Sequence, residues 1–371
     1  MRAIAALAVL AVVTGCGGAT ARPALQHELD RLVATHVAPG ATAYVAGPNG
    51  SWGGASGYAN VAERESMRVD ARLRLESVSK LWTAVVLVKL ADEKKLRLDD
   101  TLGRWWPSLF TGAKRQITIR ELLNHTSGLV DNNDLVQDSE SWFRKTHDTR
   151  LRVQLLALAK KLRANPAYVY DDRIEIRWAA DLPLLFEPRM NWHYSNIGYK
   201  IAGHIAEKAS GKPLAALYRR IIIDPLHLKS AAYDPAGPIS GEHPVGYMLN
   251  GARPVAASDY GEGALGAEGG IVSNAEDEAA FLRAVVQGKL VPTSDLLQTT
   301  SVNTTYALGI GTTDAPCSGL TWSHNGGGPA WSSSVAVTAD GKRVAVILLN
   351  GRNSAHEADA SEAALRLLCA A

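Results

Sequence analysis

The chain has 371 residues, 46% hydrophobic and 20% charged, with 39 basic and 37 acidic side chains for a formal net charge of +2. That is ordinary globular composition, long enough to bury a full core as one large domain or two closely packed ones, and it has no signature of disorder. Basic and acidic residues are mixed along the chain, so no basic stripe points to nucleic acid or an anionic membrane as a partner.

The chain starts with Arg2 and an apolar run from Ala3 to Val13, too short to span a bilayer, which predicts a signal peptide over residues 1–21. Val13-Thr14-Gly15-Cys16 has the form of a bacterial lipobox, with Cys16 as the lipidated mature N-terminus; cleavage after Ala19-Thr20-Ala21 is the alternative. Either way the mature protein is expected outside the cytoplasm, as a lipoprotein on the outer face of the cell membrane or as a secreted protein. Contact with the membrane is expected only through that lipid, and a monomer is expected.

Leu25 to Val37 has helical apolar spacing. The runs ATAYVAG and SWGGASGYA, split by Pro48-Asn49-Gly50, predict a β-hairpin. Val78 to Leu90 is helical again, with Leu81, Val85, Val88 and Leu90 apolar. A mostly helical middle follows, with loops expected at Asn132-Asn133-Asp134 and from Asp234 to Pro244. WSSSVAVTA and RVAVILLN, joined through Asp340-Gly341-Lys342, predict a second hairpin, and Ala358 to Leu368 a closing helix. Strand material at both ends and helix in the middle predict an α+β fold. One antiparallel sheet with flanking helices is built from segments 22–75 and 305–371, and a mainly helical subdomain over 76–304 is inserted. Besides Cys16 the chain has Cys317 and Cys369. In an oxidising compartment they suggest a disulfide pinning the C-terminal segment to an upstream strand, or else two unrelated buried thiols; spacing leaves both open.

Gly261-x-Gly263-x-x-Gly266 matches dinucleotide-loop spacing, but no strand precedes it and no acidic residue follows at the right distance, so it reads as a glycine-rich loop. No HExxH, Cys/His cluster or GxSxG occurs, so neither a metal site nor a nucleophile elbow has support in the sequence. What remains is Ser77-x-x-Lys80, the sole SxxK. Residues three apart on a helix share a face, so Ser77 and Lys80 can meet while Ser79 points away. Lys80 acts as a base only when neutral, a form favoured by its apolar neighbours Leu81 and Val85 and by nearby polar donors. Ser79 becomes a helix residue whose loss is expected to be tolerated. Tyr194-Ser195-Asn196 lies in a turn before the helical run Ile197 to Ala206, a position that aims a phenol into a cleft. The similar Tyr58-Ala59-Asn60 ends a strand instead. His324-Asn325-Gly326, followed by Gly327 and Gly328, enters the second hairpin, where glycines leave N–H groups free to face a carbonyl oxygen.

These ordered motifs, with ITIRELLNHTSGL (117–129), FEPRMNWHYSNIGY (186–199), DPLHL (224–228) and GGIVSNAEDEAAFL (269–282), resemble the serine β-lactamase and DD-peptidase family over nearly the whole mature chain. The resemblance is to class C β-lactamases, their esterase relatives and, in its motifs, actinobacterial D-alanyl-D-alanine carboxypeptidases. It implies a β-lactamase/transpeptidase-like fold and a serine hydrolase needing no cofactor and no metal, with a small peptide or ester as substrate, such as a cell-wall fragment.

Ser77 would become acylated, with Lys80 as its base, and Tyr194 would relay protons to the leaving group and the deacylating water. Asn196 would bind the substrate amide or hold Lys80. His324, Asn325, Gly326 and Gly327 would form the third motif, with the N–H groups of Ser77 and Gly327 as the oxyanion hole. His125 reads as a turn or packing residue.

Several features depart from the family pattern. His324 stands where most class C enzymes have lysine, and Asn325 where the carboxypeptidases have threonine. No arginine occurs in Leu308 to Thr312, and Glu187-Pro188-Arg189 replaces a Pro-Gly turn. Arg189 is therefore a candidate for the missing positive charge, and a cleft poor in fixed charge favours neutral esters or amides. A carboxypeptidase-like activity ranks first, a carboxylesterase second, a true β-lactamase third and a catalytically silent envelope-binding protein last.

Overall fold

The computed structural model describes residues 21–137, 149–165, 168–251, 253–258, 264–353 and 356–371. Cys16 and the predicted signal segment lie outside these, apart from Ala21, as do Gly261 and Gly263 of the glycine-rich loop. No helix among the described residues is long and apolar enough to cross a membrane.

The first hairpin is β1 (Gly40–Gly47) and β2 (Gly50–Asn60), followed by the short β3 (Glu65–Ser66). Gly47 pairs with Gly50, so Pro48 and Asn49 alone make the turn and Gly50 is already strand, at φ +106°. The C-terminal strands are β4 (Gly311–Ala315), β5 (Gly319–Gly327), β6 (Ser332–Thr338) and β7 (Val344–Leu349). Together they make one seven-stranded sheet of order β3-β2-β1-β7-β6-β5-β4, antiparallel throughout, so the two ends of the chain meet where β1 pairs with β7.

β7 is buried on both faces, which is why VAVILL is an unbroken apolar run. Ala345, Ile347 and Leu349 pack under α1 (Ala21–Ala34) and α5 (Glu357–Ala370), while Val344, Val346 and Leu348 face the helical part of the molecule. There α2 (Ser79–Asp92) runs through the core, apolar on nearly every side, with Trp82 stacked on Phe281 of α4 (Ala275–Val286) at 4.3 Å. Beside it lies α3 (Asn196–Ser210), capped at its start by the Ser195 Oγ, which accepts from Gly198 N at 3.2 Å, and ended by Gly211 at φ +67°.

One expected loop is a helix: Asn132–Gln137 is helical. The Asp134 carboxylate accepts from Asp131 N at 3.0 Å and the Asp131 carboxylate from Asn133 N at 3.4 Å, a reciprocal cap written in the same polar residues that suggested a loop. Cys317, between β4 and β5, is bonded to Cys369 on α5, with Cα atoms 5.4 Å apart.

Candidate active site

Ser77 sits in a 3-10 turn, Glu76–Val78, that leads directly into α2. Glu76 has φ +51°, a left-handed conformation unusual outside glycine, and it turns the chain so that Ser77 faces the cleft beside β5. Leu75 is tied from two sides: its N–H donates to Ile271 O at 2.9 Å and its carbonyl accepts from Ser333 Oγ at 2.7 Å. β5 lies hard against this turn. A Cβ at Gly326 would stand 2.2 Å from Leu75 O, and one at Gly328 would stand 2.5 Å from the Glu76 carboxylate.

Pairing in an antiparallel ladder alternates between bonded and unbonded pairs. Gly328 N donates to Trp331 O at 3.0 Å, so the next pair, Gly327 with Ser332, is of the unbonded kind and the Gly327 N–H points off the strand edge. β4 stops pairing at Ser323, which leaves that edge open toward the Ser77 turn. The Ser77 N–H, in the first turn of helix, has no intrahelical acceptor either. Two N–H donors thus flank one site beside the Ser77 hydroxyl.

Lys80 is fully buried and has four oxygens around its Nζ: Ser77 Oγ at 3.1 Å, Asn196 Oδ1 at 2.7 Å, Glu268 O at 3.1 Å and Glu268 Oε2 at 3.0 Å. Its polar neighbours are acceptors, not the donors expected from the sequence, and one is a carboxylate. Asn196 has no spare hydrogen for substrate. Its Nδ2 donates to Asp131 Oδ2 at 3.3 Å and Asn132 Oδ1 at 3.2 Å, and its backbone N–H donates to Asp131 Oδ1 at 2.7 Å. Of the two roles open to it, the geometry fits holding Lys80. Burial raises the Asp131 pKa to about 6, helped by the nearby Glu268 charge, although the bond from Asn196 N and Lys80 oppose it.

Tyr194 approaches Ser77 from the other side. Burial pushes its phenol pKa well above the usual value, while a hydrogen bond with Ser77 works against that shift. Its ring lies 4.9 Å from Lys80 Nζ and 4.2 Å from the His125 ring. His125 is buried at φ +64°, and its Nδ1 accepts from Ser195 N at 3.1 Å. Burial, and then the Lys80 charge, hold its pKa well below the usual value, so the ring is neutral and serves as packing under Tyr194.

His324 joins this cluster from β5. Its Nδ1 lies 2.7 Å from Asn325 O, an acceptor only, so Nδ1 carries the proton and Nε2 accepts from the Tyr306 hydroxyl at 3.0 Å. Burial and the Lys80 charge lower its pKa to about 4, so it brings no positive charge at neutral pH.

The structure therefore brings Ser77, Lys80, Tyr194, Asn196, His324 and the Gly326–Gly327 backbone together, but not the side chain of Asn325. Strand alternation turns Asn325 to the opposite face from His324, where its Oδ1 accepts from Ser334 Oγ at 2.6 Å. Arg189 is not the missing cation: it is paired with Glu121 on the short helix Ile119–Leu123. Arg352 lies on the Asn325 face of β5, its Nε 3.1 Å from where a Cβ on Gly327 would stand. With Asn325, Gly327 and His356 it lines a cavity of about 200 Å3. Ser79 also has a task, because its buried Oγ accepts from Ile271 N at 3.1 Å. Glu268 and Asp131 stand in segments with no recognisable motif, and only the proximity of α3 and the Gly266–Gly269 turn to α2 reveals them.

The profile of the Beta-lactamase family matches residues 25–370. The chain is 31% identical to penicillin-binding protein 4* of Bacillus subtilis (strain 168) over 46% of its own length and 32% of that protein's, and 30% identical to esterase EstB of Burkholderia gladioli over 48% and 43%. The matched region thus spans less than half of either curated relative. A solved structure, the D-stereospecific amidohydrolase from Streptomyces sp., superposes with a TM-score of 0.76 at 26% identity, over 92% of this chain and 98% of that one. With the antiparallel sheet and the Ser77–Lys80 pair already described, a family match over almost the whole chain is sufficient: this chain belongs to the Beta-lactamase family.

Proposed function

We propose that this chain is an exported serine hydrolase that forms an acyl-enzyme at Ser77 and acts like a D-alanyl-D-alanine carboxypeptidase on short peptides or related acyl compounds. The observation that carries this reading is the 3.1 Å separation of Lys80 Nζ from Ser77 Oγ, with the Tyr194 phenol on the same hydroxyl. Ser77 Oγ bonds to the substrate carbonyl carbon while its proton passes to Lys80. The carbonyl oxygen, now negative, takes the N–H groups of Ser77 and Gly327.

Collapse breaks the bond to the leaving amine, which receives its proton through the Tyr194 hydroxyl. Burial keeps that phenol protonated at rest, which suits a conduit better than a standing anion. Water then attacks the acyl carbon, returns its proton along the same path and frees Ser77.

Likeness to the Streptomyces amidohydrolase supports a D-configured acyl group. Neutral His324 favours a carboxylesterase as the second reading, since the third motif then contributes no charge of its own. Export, with or without a lipid on Cys16, is supported by the apolar start and by a disulfide. Palmitate labelling that Cys16→Ala abolishes would establish the anchor.

Fluorescent penicillin should label the wild type stoichiometrically and leave Ser77→Ala unlabelled. Nitrophenyl butyrate and a D-Ala-D-Ala peptide should then be compared in the wild type. Faster turnover of the peptide supports the carboxypeptidase-like reading, and faster turnover of the ester supports the second. If none of penicillins, activated esters or D-Ala-D-Ala peptides acylates Ser77, the reading fails.

A further inference from the structure

Lys80 is sealed from solvent, and its ion-pair partner Glu268 is almost as deep, with about a tenth of its side chain exposed at the cleft. Glu268 meets the ammonium twice, through its own carbonyl at 3.1 Å and its carboxylate at 3.0 Å, so backbone and side chain of one residue hold the same nitrogen. The turn that presents it is fixed. Ser79 Oγ accepts from Ile271 N just beyond it, and Ala267 O accepts from Thr83 Oγ at 2.5 Å.

We propose that Glu268 is the proton partner of Lys80: its carboxylate takes one ammonium proton, leaving Lys80 neutral and able to accept the proton of Ser77. The balance closes without any outside reagent. Ammonium and carboxylate become amine and carboxylic acid, and no net charge enters or leaves the buried site. The amine then takes the Ser77 proton as the Oγ–carbon bond forms, and that proton goes on to the leaving group through Tyr194. Glu268 touches no reacting atom, so it is a positioning residue that acts through Lys80. The inference rests on the acyl-transfer reading above.

Other titratable groups face the pair from each packed element. Asp131, Tyr170, Tyr194 and Lys200 all feel the Glu268 charge, His125, Tyr306 and His324 feel Lys80, and Glu76 lies across Gly269. Of these, Asp131 titrates near the working range, at about 6.

The test is the pH dependence of Ser77 acylation, by fluorescent penicillin or nitrophenyl ester, in the full chain. Glu268→Gln keeps the shape but removes the proton acceptor. Acylation should fall roughly 100-fold at pH 7 and then rise about tenfold per pH unit toward alkaline pH, where the wild type is flat. Glu268→Asp should restore the flat profile at a reduced rate.

A Glu268→Gln profile that is merely scaled, or unchanged, overturns the proposal. So does an acid limb that persists in Glu268→Gln and vanishes in Asp131→Asn. If Glu268→Gln does not fold, Glu268→Asp decides alone, and a rate equal to the wild type's, or one that climbs with pH, refutes the idea. Failure of the wild type to acylate at all would instead sink the functional reading, so the two outcomes are separable.

Discussion

Replacing Gly326 by alanine drives a methyl group into the seam between the oxyanion strand and the nucleophile turn. That Cβ would lie 2.2 Å from Leu75 O, 2.4 Å from Ser333 Oγ and 2.9 Å from Glu76 Cβ. Leu75 O cannot rotate away, because it accepts from Val78 N at 3.2 Å and from Ser333 Oγ at 2.7 Å. β5 and the turn must therefore part by about 1 Å, a misplacement that costs on the order of 100-fold in a positioned reaction. The two N–H donors diverge with them, and loss of one such donor costs about 10²–10³ in rate.

Ester acylation of Gly326→Ala should thus drop by roughly 100-fold or more, in kcat rather than KM, with native circular dichroism. A Cβ on Gly327 would instead meet the Arg352 side chain first, at 3.1 Å, and so leaves the seam itself unstrained. If Gly326→Ala acylates within tenfold of the wild type, the assignment of the seam is wrong.

Ser79→Ala strands the buried Ile271 N–H and should destabilise the fold by about 1–3 kcal/mol in urea titration while Ser77 still acylates; an unchanged midpoint would refute this. Burial lowers the His204 pKa, but Asp172 and Glu207 outweigh it and raise it to about 9. Because the folded pKa lies above the unfolded one, this stabilisation is complete below about pH 6.5 and is lost as pH rises through about 9. His204→Gln should flatten that decline in urea midpoints taken across the window. The Cys317–Cys369 bridge spans a sequence separation of 52 residues, so the double serine variant should lose up to about 4 kcal/mol, read by the same titration.

The strands at both ends were legible because β1 and β7 carry alternating or unbroken apolar runs between turn residues, and no distant contact competes with that pattern. Ser77 and Lys80 were legible for a similar reason, since their spacing is local and a helical turn converts it into a contact. Glu268 and Asp131 were not, because their roles depend on chain segments 188 and 65 residues from their partners Lys80 and Asn196. The stabilising hydrogen bond of Ser79 was not legible either. Helical geometry says which way its hydroxyl points, but not that the Ile271 amide waits there. Arg189 illustrates the reverse error: its charge suits a substrate carboxylate, yet Glu121 is closer.

The meeting of β1 with β7 sets a condition on biosynthesis. Among the described residues, every strand from Gly40 to Ser66 joins the rest of the sheet through β7, residues 344–349. A ribosome-bound chain that has not yet reached Val344 lacks that bridge, so its two half-sheets have no common ladder. Contacts of such long sequence separation form late and slowly. The Ser77 turn, held by Gly326 of β5 and Ser333 of β6, is likewise complete only once those late strands have been made.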